Sequence, residues 1–205
     1  AEPNFYGPDG MIVLDPGARS PTLDVFSTNF TGLKVKLYAV TPADYDAYAE
    51  FLRTRGTRRP KPVPGKKVFD QVVRPGGKAD ELTETHIDLE PALRNHLGHV
   101  IALVEPTPWT QRWEPPQLVT WVQSTRLAVD AAVDNTDLYA WVNRLADGAP
   151  VSGAALSIMP WGVQGKSGDD GTAKLALADV NKRGSGLLIA RAGDDSAFVP
   201  DGYGW

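Results

Sequence analysis

Short apolar runs, each stopped by Gly, Pro, Asn or Asp, recur along nearly the whole chain, and that rhythm constrains the fold before any other feature does. "TLDVFSTNF", "GLKVKLYAV", "THIDL", "HVIALVE", "LVTWVQS", "RLAVDAAVD", "DLYAWVNRL", "GAALSIMP", "TAKLALA", "GLLIARA" and "SAFVP" are rich in Val, Ile, Leu and aromatics. Such runs between turn formers read as strands. In the second, Leu33, Val35, Leu37 and Ala39 alternate with Lys34, Lys36 and Tyr38, which places one edge on a core and the lysines in water.

One stretch breaks the pattern. "TPADYDAYAEFLRTRG" offers Thr41 as N-cap, Pro42 at the first helical position, Asp44 and Asp46 in the first turn, and Tyr45, Tyr48, Ala49 and Leu52 at helical spacing. It reads as an amphipathic helix near residues 42–54, its tyrosines a packed face before a ligand-stacking box. Gly56 can end it.

With 205 residues, of which 42% are hydrophobic, the chain can bury one large core or two small ones. "EPTPWTQRWEPPQLVTWVQS" concentrates prolines and tryptophans, so a boundary is expected near Pro115 to Thr125. The expected architecture is all-β: a sandwich over 1–120 with the inserted helix, then a second sandwich over 121–205. In the second, "LADGAPVSGAALSIMPWGVQGKSGDDGTAKLAL" reads as strand, Asp-Gly turn, re-entry at Pro150, close approach at Gly153, and a second turn "SGDDG" before the next strand. Trp141 and Tyr139 share one face of their strand, opposite Leu138 and Ala140. Trp141 is read as a core anchor, with inter-domain contact as the alternative, and Trp109 and Trp113 in the proline-rich connection are read as interface residues.

The charge balance, 21 bases against 25 acids, is uneven along the chain. Residues 53–67, "RTRGTRRPKPVPGKK", hold Arg53, Arg55, Arg58, Arg59, Lys61, Lys66 and Lys67 and no acid. This reads as an exposed basic loop, with a polyanion or partner contact as the alternative. No aromatics interleave with these bases, which argues against nucleic acid. No apolar run is long enough to span a bilayer, and "AEPNFYGPDG" lacks signal-peptide blocks.

Chemistry is sparse. The chain has no cysteine, so disulfides and thiolate chemistry are excluded. His96 and His99 are three apart without a third ligand in sequence, and His86 stands apart, so surface or capping roles are read and no metal is expected. Asp169-Asp170-Gly171 and Asp194-Asp195 lack the alternating oxygen ligands of a calcium loop and read as turns. "RGSGLLIA" runs into a strand where a phosphate cradle opens a helix. No Gly-x-Ser-x-Gly or Ser-x-x-Lys phrase occurs, and neither enzyme nor cofactor is expected.

"YGPDGMIVLDP", "DVFSTNFTGLKVKLYAVTPADYDAYAEFL", "HIDLEPAL" with "LGHVIALVEP", "TWVQSTRLAVDAAVDNTDLYAWVNRLADGAPVSGAALSI" and "GLLIARAGDDSAFVPDGYGW" together resemble the macroglobulin-domain region of bacterial α2-macroglobulins. The resemblance runs nearly end to end. It implies tandem fibronectin- or Ig-like macroglobulin sandwiches and a non-catalytic, structural share in a broad-spectrum endopeptidase inhibitor. It also implies neighbouring macroglobulin domains as partners, contact with target proteases only through a longer protein, and a periplasmic, cell-surface or secreted location without direct membrane insertion. The family commonly carries a thioester on a Cys-containing motif, which these residues cannot supply. Phe198 and Trp205, in the closing "FVPDGYGW", are expected to be covered by a further domain, the chain reading as a piece of a longer architecture. The alternative is an adhesin-like or ligand-binding tandem of Ig-like modules.

Overall fold

The computed structural model describes residues 2–17, 20–134, 136–177 and 185–202. The chain divides into two compact units, Ala1–Leu14 with Arg19–Ser124 and Asp15–Ala18 with Thr125–Trp205. Each is built on β-sheets, and the fold class matches the expectation.

The first unit holds β1 (Asn4–Tyr6), β2 (Gly10–Leu14), β3 (Thr22–Thr28), β4 (Gly32–Val40), the helix α1 (Tyr45–Thr54), β5 (Lys66–Val73), β6 (Thr83–Asp88), β7 (Gly98–Thr107) and β8 (Leu118–Ser124). A three-stranded sheet, β1-β3-β6, faces a five-stranded sheet, β2-β8-β7-β4-β5. Leu23, Val25 and Ile87 from the first meet Leu33, Val35, Leu37, Val100, Ala102, Val104 and Val122 from the second in one buried cluster. The strands β7 and β8 are buried along almost their whole length, which explains why they read as continuous apolar runs: both faces are covered.

The cover on the outer face is α1. It is entered through a 3₁₀ turn, Pro42–Asp44, where Asp44 reaches back to accept hydrogen bonds from the Thr41 backbone N–H (2.8 Å) and hydroxyl (3.0 Å). This is the returning half of a capping box, and the Asp44 N–H donates in turn to the Thr41 carbonyl at 2.9 Å. Tyr48 and Phe51 form the buried stripe of the helix, and Ala49 is exposed. The expected stripe is therefore corrected at that position, Phe51 sitting three residues after Tyr48 where Ala49 sits only one.

The second unit holds β9 (Leu127–Val133), β10 (Asp137–Arg144), β11 (Ala155–Met159), β12 (Val163–Lys166), β13 (Thr172–Ala176), β14 (Leu187–Ala192) and β15 (Asp195–Pro200). The three-stranded sheet β13-β10-β9 packs on the four-stranded sheet β12-β11-β14-β15. Leu138, Ala140 and Val142 are fully buried between them with Leu127, Leu156, Ile158, Leu175, Leu188 and Ala190.

Some strands were not legible in the sequence. In β5 the register shifts opposite Leu37 and Tyr38, so the adjacent residues Val68 and Phe69 both turn towards the core. A bulge of this kind erases the period-two signature. In β12 a glycine interrupts the strand, and a Cβ at Gly165 would lie 2.4 Å from Leu175 Cδ2. The Leu175 side chain of β13 occupies the space, so a side chain at 165 would require it to shift. The short β1 and β2 were likewise missed. The expected division at 120/121 is corrected as well: β8 crosses it, pairing with β7 and, in parallel, with β2, and the units part after Ser124.

The stretch from β10 to β13 turns at the residues anticipated, but the two runs flanking its first turn do not pair as a hairpin: after a single bridge between Asn143 and Pro150 the chain passes to the other sheet, where β11 pairs with β12 and β14. Arg144 N–H donates to Ala149 O and Val151 N–H to Val142 O, so the Asp147-Gly148 turn closes back on β10. Gly153 has φ +72° with open space around it, so it serves the turn and no close approach.

Acids at the turns of this unit are held ionised by the turns they close. Backbone N–H groups of Thr136 and then Asp137 lower the Asp134 pKa. The Arg144 guanidinium, then the Ala149 N–H, lowers that of Asp147, and the Thr172 N–H and hydroxyl lower that of Asp170. A carboxylate depressed in the folded state contributes stability above its unfolded pKa, about 3.9 for Asp, and loses it as pH falls through the lower folded value. Thermal melts should therefore show a stability that is flat down to about pH 5 and drops below about pH 4. The combined substitutions Asp134→Asn, Asp147→Asn and Asp170→Asn should make that drop shallower. An equal drop in the substituted chain would place the acid sensitivity elsewhere.

Candidate functional surfaces

The residues named from sequence fall into separate surfaces and buried clusters. Under α1, Trp121 is fully buried. Its ring meets Tyr48 edge-on at 5.1 Å and Tyr45 at 5.9 Å between centroids, and its indole N–H donates to His99 Nδ1 at 3.3 Å. The tyrosines thus form a packed aromatic face, as read from the sequence.

Trp141 is where the sequence reading fails. It is 42% exposed and Tyr139 38%, while the alternate residues Leu138, Ala140 and Val142 point inward. In the ladder Ala140 lies opposite Ala131 on one side and Ala173 on the other. That row of small side chains is buried in the core, so the strand's alternation puts Trp141 on the outer face. Lys174 lies over the Tyr139 ring at 5.5 Å and pairs with Asp137 at 3.1 Å.

Trp109 stacks on Phe30, with ring centroids 6.2 Å apart, and its indole N–H donates to Trp113 O at 2.7 Å. Trp113 is 66% exposed. Trp109 is thus engaged within the first unit, and Trp113 presents the larger free surface of the two. Phe198 is only 2% exposed, opposite Ile189 in the β14-β15 ladder, so the expectation that it awaits a further domain is not met. Trp205 lies outside the described residues.

The basic segment is exposed, but it is not one loop. Arg53 is in the last turn of α1 and pairs with Glu50, while Lys66 and Lys67 belong to β5, with Lys67 bonded to Asp70 at 2.5 Å. This leaves Arg55, Arg58, Arg59 and Lys61 on the connecting chain, stiffened by Pro60, Pro62 and Pro64. Thr54 Oγ1 accepts a hydrogen bond from the Lys61 N–H at 2.9 Å, drawing the loop back on the helix end. Arg55 and Gly56 line an open cleft of about 590 Å³ with Glu105, Glu114, Pro115 and Gln117.

Each histidine has a partner of its own. His96 Nδ1 pairs with Glu90, His99 with Trp121, and His86 Nδ1 with Asp24 Oδ1 at 2.7 Å. Ser124 Oγ donates to the His96 carbonyl at 2.6 Å and not to its ring, so this serine–histidine contact is a strand tie without nucleophilic geometry.

One structural residue was missed from sequence. Asp195, read only as a turn acid, has a side chain 3% exposed. It accepts from Thr125 Oγ1 (2.7 Å), Arg126 N–H (2.9 Å) and Arg126 Nε (3.4 Å), and Thr125 Oγ1 in turn accepts from the Leu127 N–H at 3.0 Å. The carboxylate clasps the start of β9 to the β14-β15 hairpin, a pairing far apart in sequence that local patterns do not show.

Comparison with known proteins identifies the fold. No family model matches the sequence, and no curated protein matches it. Among solved structures, the chain overlays native α2-macroglobulin from Escherichia coli spanning domains NIE-MG1 with a TM-score of 0.69 and 16% identity, covering 97% of this chain and 96% of that one. The longer MG0-NIE-MG1 segment of the same protein gives 0.67 and 17%, covering 97% and 64%. The native conformation of E. coli α2-macroglobulin gives 0.62 and 16%; there the chain spans 97% of itself but 13% of that protein. At such identities the overlay establishes the fold, the two-sandwich architecture of a bacterial α2-macroglobulin segment.

Two outcomes follow for this geometry. Limited trypsin should cut first after Arg55 or Arg58, with new termini at Gly56 or Arg59 by mass spectrometry. Arg53 is helical, Lys66 and Lys67 lie in a strand, and Arg59 and Lys61 precede prolines. First cuts elsewhere in the segment would show the loop to be held. Trp121→Ala should cost about 3–5 kcal/mol in denaturant unfolding, whereas Trp141→Ala should cost no more than about 1 kcal/mol. The reverse order would restore Trp141 to the core.

Proposed function

We propose that this chain is the NIE-MG1-type segment of a bacterial α2-macroglobulin-like endopeptidase inhibitor, serving as a non-catalytic scaffold that packs against neighbouring macroglobulin domains. The observation that carries the reading is the two-way coverage: 97% of this chain on 96% of an E. coli segment that itself holds two named domains. A chance likeness between single sandwiches would match one domain, whereas here both units and their order coincide. The share of only 13% of the whole E. coli protein supports a role as part of a longer chain.

Covalent capture is assigned elsewhere in that longer chain, because a thioester needs a cysteine and this segment has none. The surfaces available to it are non-catalytic: an aromatic face around Tyr139 and Trp141, the exposed Trp113, and the cationic loop from Arg55 to Lys61. Among the described residues no helix is long and apolar enough to cross a membrane. A periplasmic or cell-surface location accords with the reading.

The test mixes the segment, and separately the longer chain in which the proposal places it, with trypsin, elastase and subtilisin. Cleavage of a protein substrate and of a small substrate is then followed beside size-exclusion elution. The longer chain should lose protein-substrate cleavage while small-substrate cleavage persists, and the segment alone should change neither. Trapping by the segment alone, or none by the longer chain, would overturn the scaffold reading.

A further inference from the structure

We propose that Asp24, Glu84 and His86, on the outer face of the β1-β3-β6 sheet, form a binding site for a divalent transition-metal ion, with Zn²⁺ as the fitting probe. Among the described residues they are the one group of three His, Asp or Glu side chains whose ligand atoms all lie within 4.8 Å of one another. The sheet sets the arrangement. Antiparallel register puts Asp24 directly opposite His86, and Glu84, opposite Phe26, lies two residues along the same face. The His86 and Asp24 backbones are fixed by the ladder, and the Thr22 hydroxyl donates to Asp24 Oδ1 at 3.1 Å, orienting that carboxylate from outside the ligand set.

The donor chemistry suits the ion. One imidazole and two carboxylates form a three-ligand set of the kind that leaves a further position open, and the imidazole favours Zn²⁺, Ni²⁺ or Cu²⁺ over Mg²⁺ or Ca²⁺. Zinc with bonds of roughly 2.0–2.2 Å separates tetrahedral ligand atoms by roughly 3.4 Å. The 2.7 Å hydrogen-bonded pair must open by less than about an ångström, and Glu84, within 4.8 Å of the others, must close by up to roughly 1.4 Å, which side-chain rotation supplies without moving a strand. The His86 side chain is 56% exposed, so an ion reaches it from solvent and its remaining positions face water. The His96–Glu90 pair, equally exposed, has no such third ligand among the described residues. It is the internal control.

The experiment is calorimetric titration of the chelator-stripped chain with Zn²⁺. Saturable one-to-one binding is expected, with affinity at least roughly tenfold weaker in His86→Ala and in the double variant Asp24→Asn with Glu84→Gln. His96→Ala should bind as the parent does. Absence of saturable binding in the parent, or parent-like affinity in both ligand variants, would overturn the proposal. A measurement without substitutions guards against misfolded variants: on adding Zn²⁺ the His86 ring resonances should move while those of His96 and His99 stay. Movement of the His96 ring alone would equally overturn the assignment.

Discussion

Burial of the five-stranded sheet on both faces is the constraint on which the first unit depends. A sheet closed on one side by another sheet ordinarily leaves its outer face to water, and its strands alternate. Here Trp121, Ile101 and Val119 are buried on the outer face, so something must cover them, and the insertion between β4 and β5 does so with Tyr45 and Tyr48 set on the Trp121 ring. The capping box at Thr41 fixes where the helix begins, the aromatic contacts fix its seat, and the basic loop then inherits its position as the return path from helix to β5. The cationic surface is a by-product of covering the sheet.

The second unit solves the same problem by a different economy. Alanines lie opposite one another across its three-stranded sheet, and Tyr139 and Trp141 of β10 are placed on the outer face while Phe198 is buried. Order comes from turns whose acids accept backbone N–H groups and from the buried Asp195, whose charge is matched by Thr125 and Arg126. Removing one side of such a buried charged contact costs more than the contact itself contributes, because the other side is left without its partner.

Legibility followed burial pattern. Strands with one wet face, such as β4 and β13, and strands buried on both faces, β7 and β8, could be read from apolar spacing. The helix was legible because its cap and its first-turn acids are local. The bulged β5 and the glycine-bearing β12 were not, since each violates the period it should show. Trp141 misled because residue size was weighed above parity. When both faces of a strand carry apolar residues, the neighbouring strands of its own sheet show which face enters, and here the buried alanines of β9 and β13 flank Ala140. Asp24 and His86, 62 residues apart, and Thr125 and Asp195, 70 apart, meet only through topology. No windowed pattern in a single sequence contains them.

The Asp195 clasp has a consequence for the time course of folding. It joins the first strand of its sandwich to the last hairpin, so nearly the whole unit must be threaded before the carboxylate finds Thr125 and Arg126. Closing a loop of that length is entropically costly and unrewarded until the intervening ladders exist, which places the clasp late along the route. Contacts made late are absent from the transition state, and their energy appears in the unfolding barrier more than in the folding rate. The clasp therefore acts as a latch on lifetime: it sets how long the sandwich stays closed once formed, with little influence on how fast it forms.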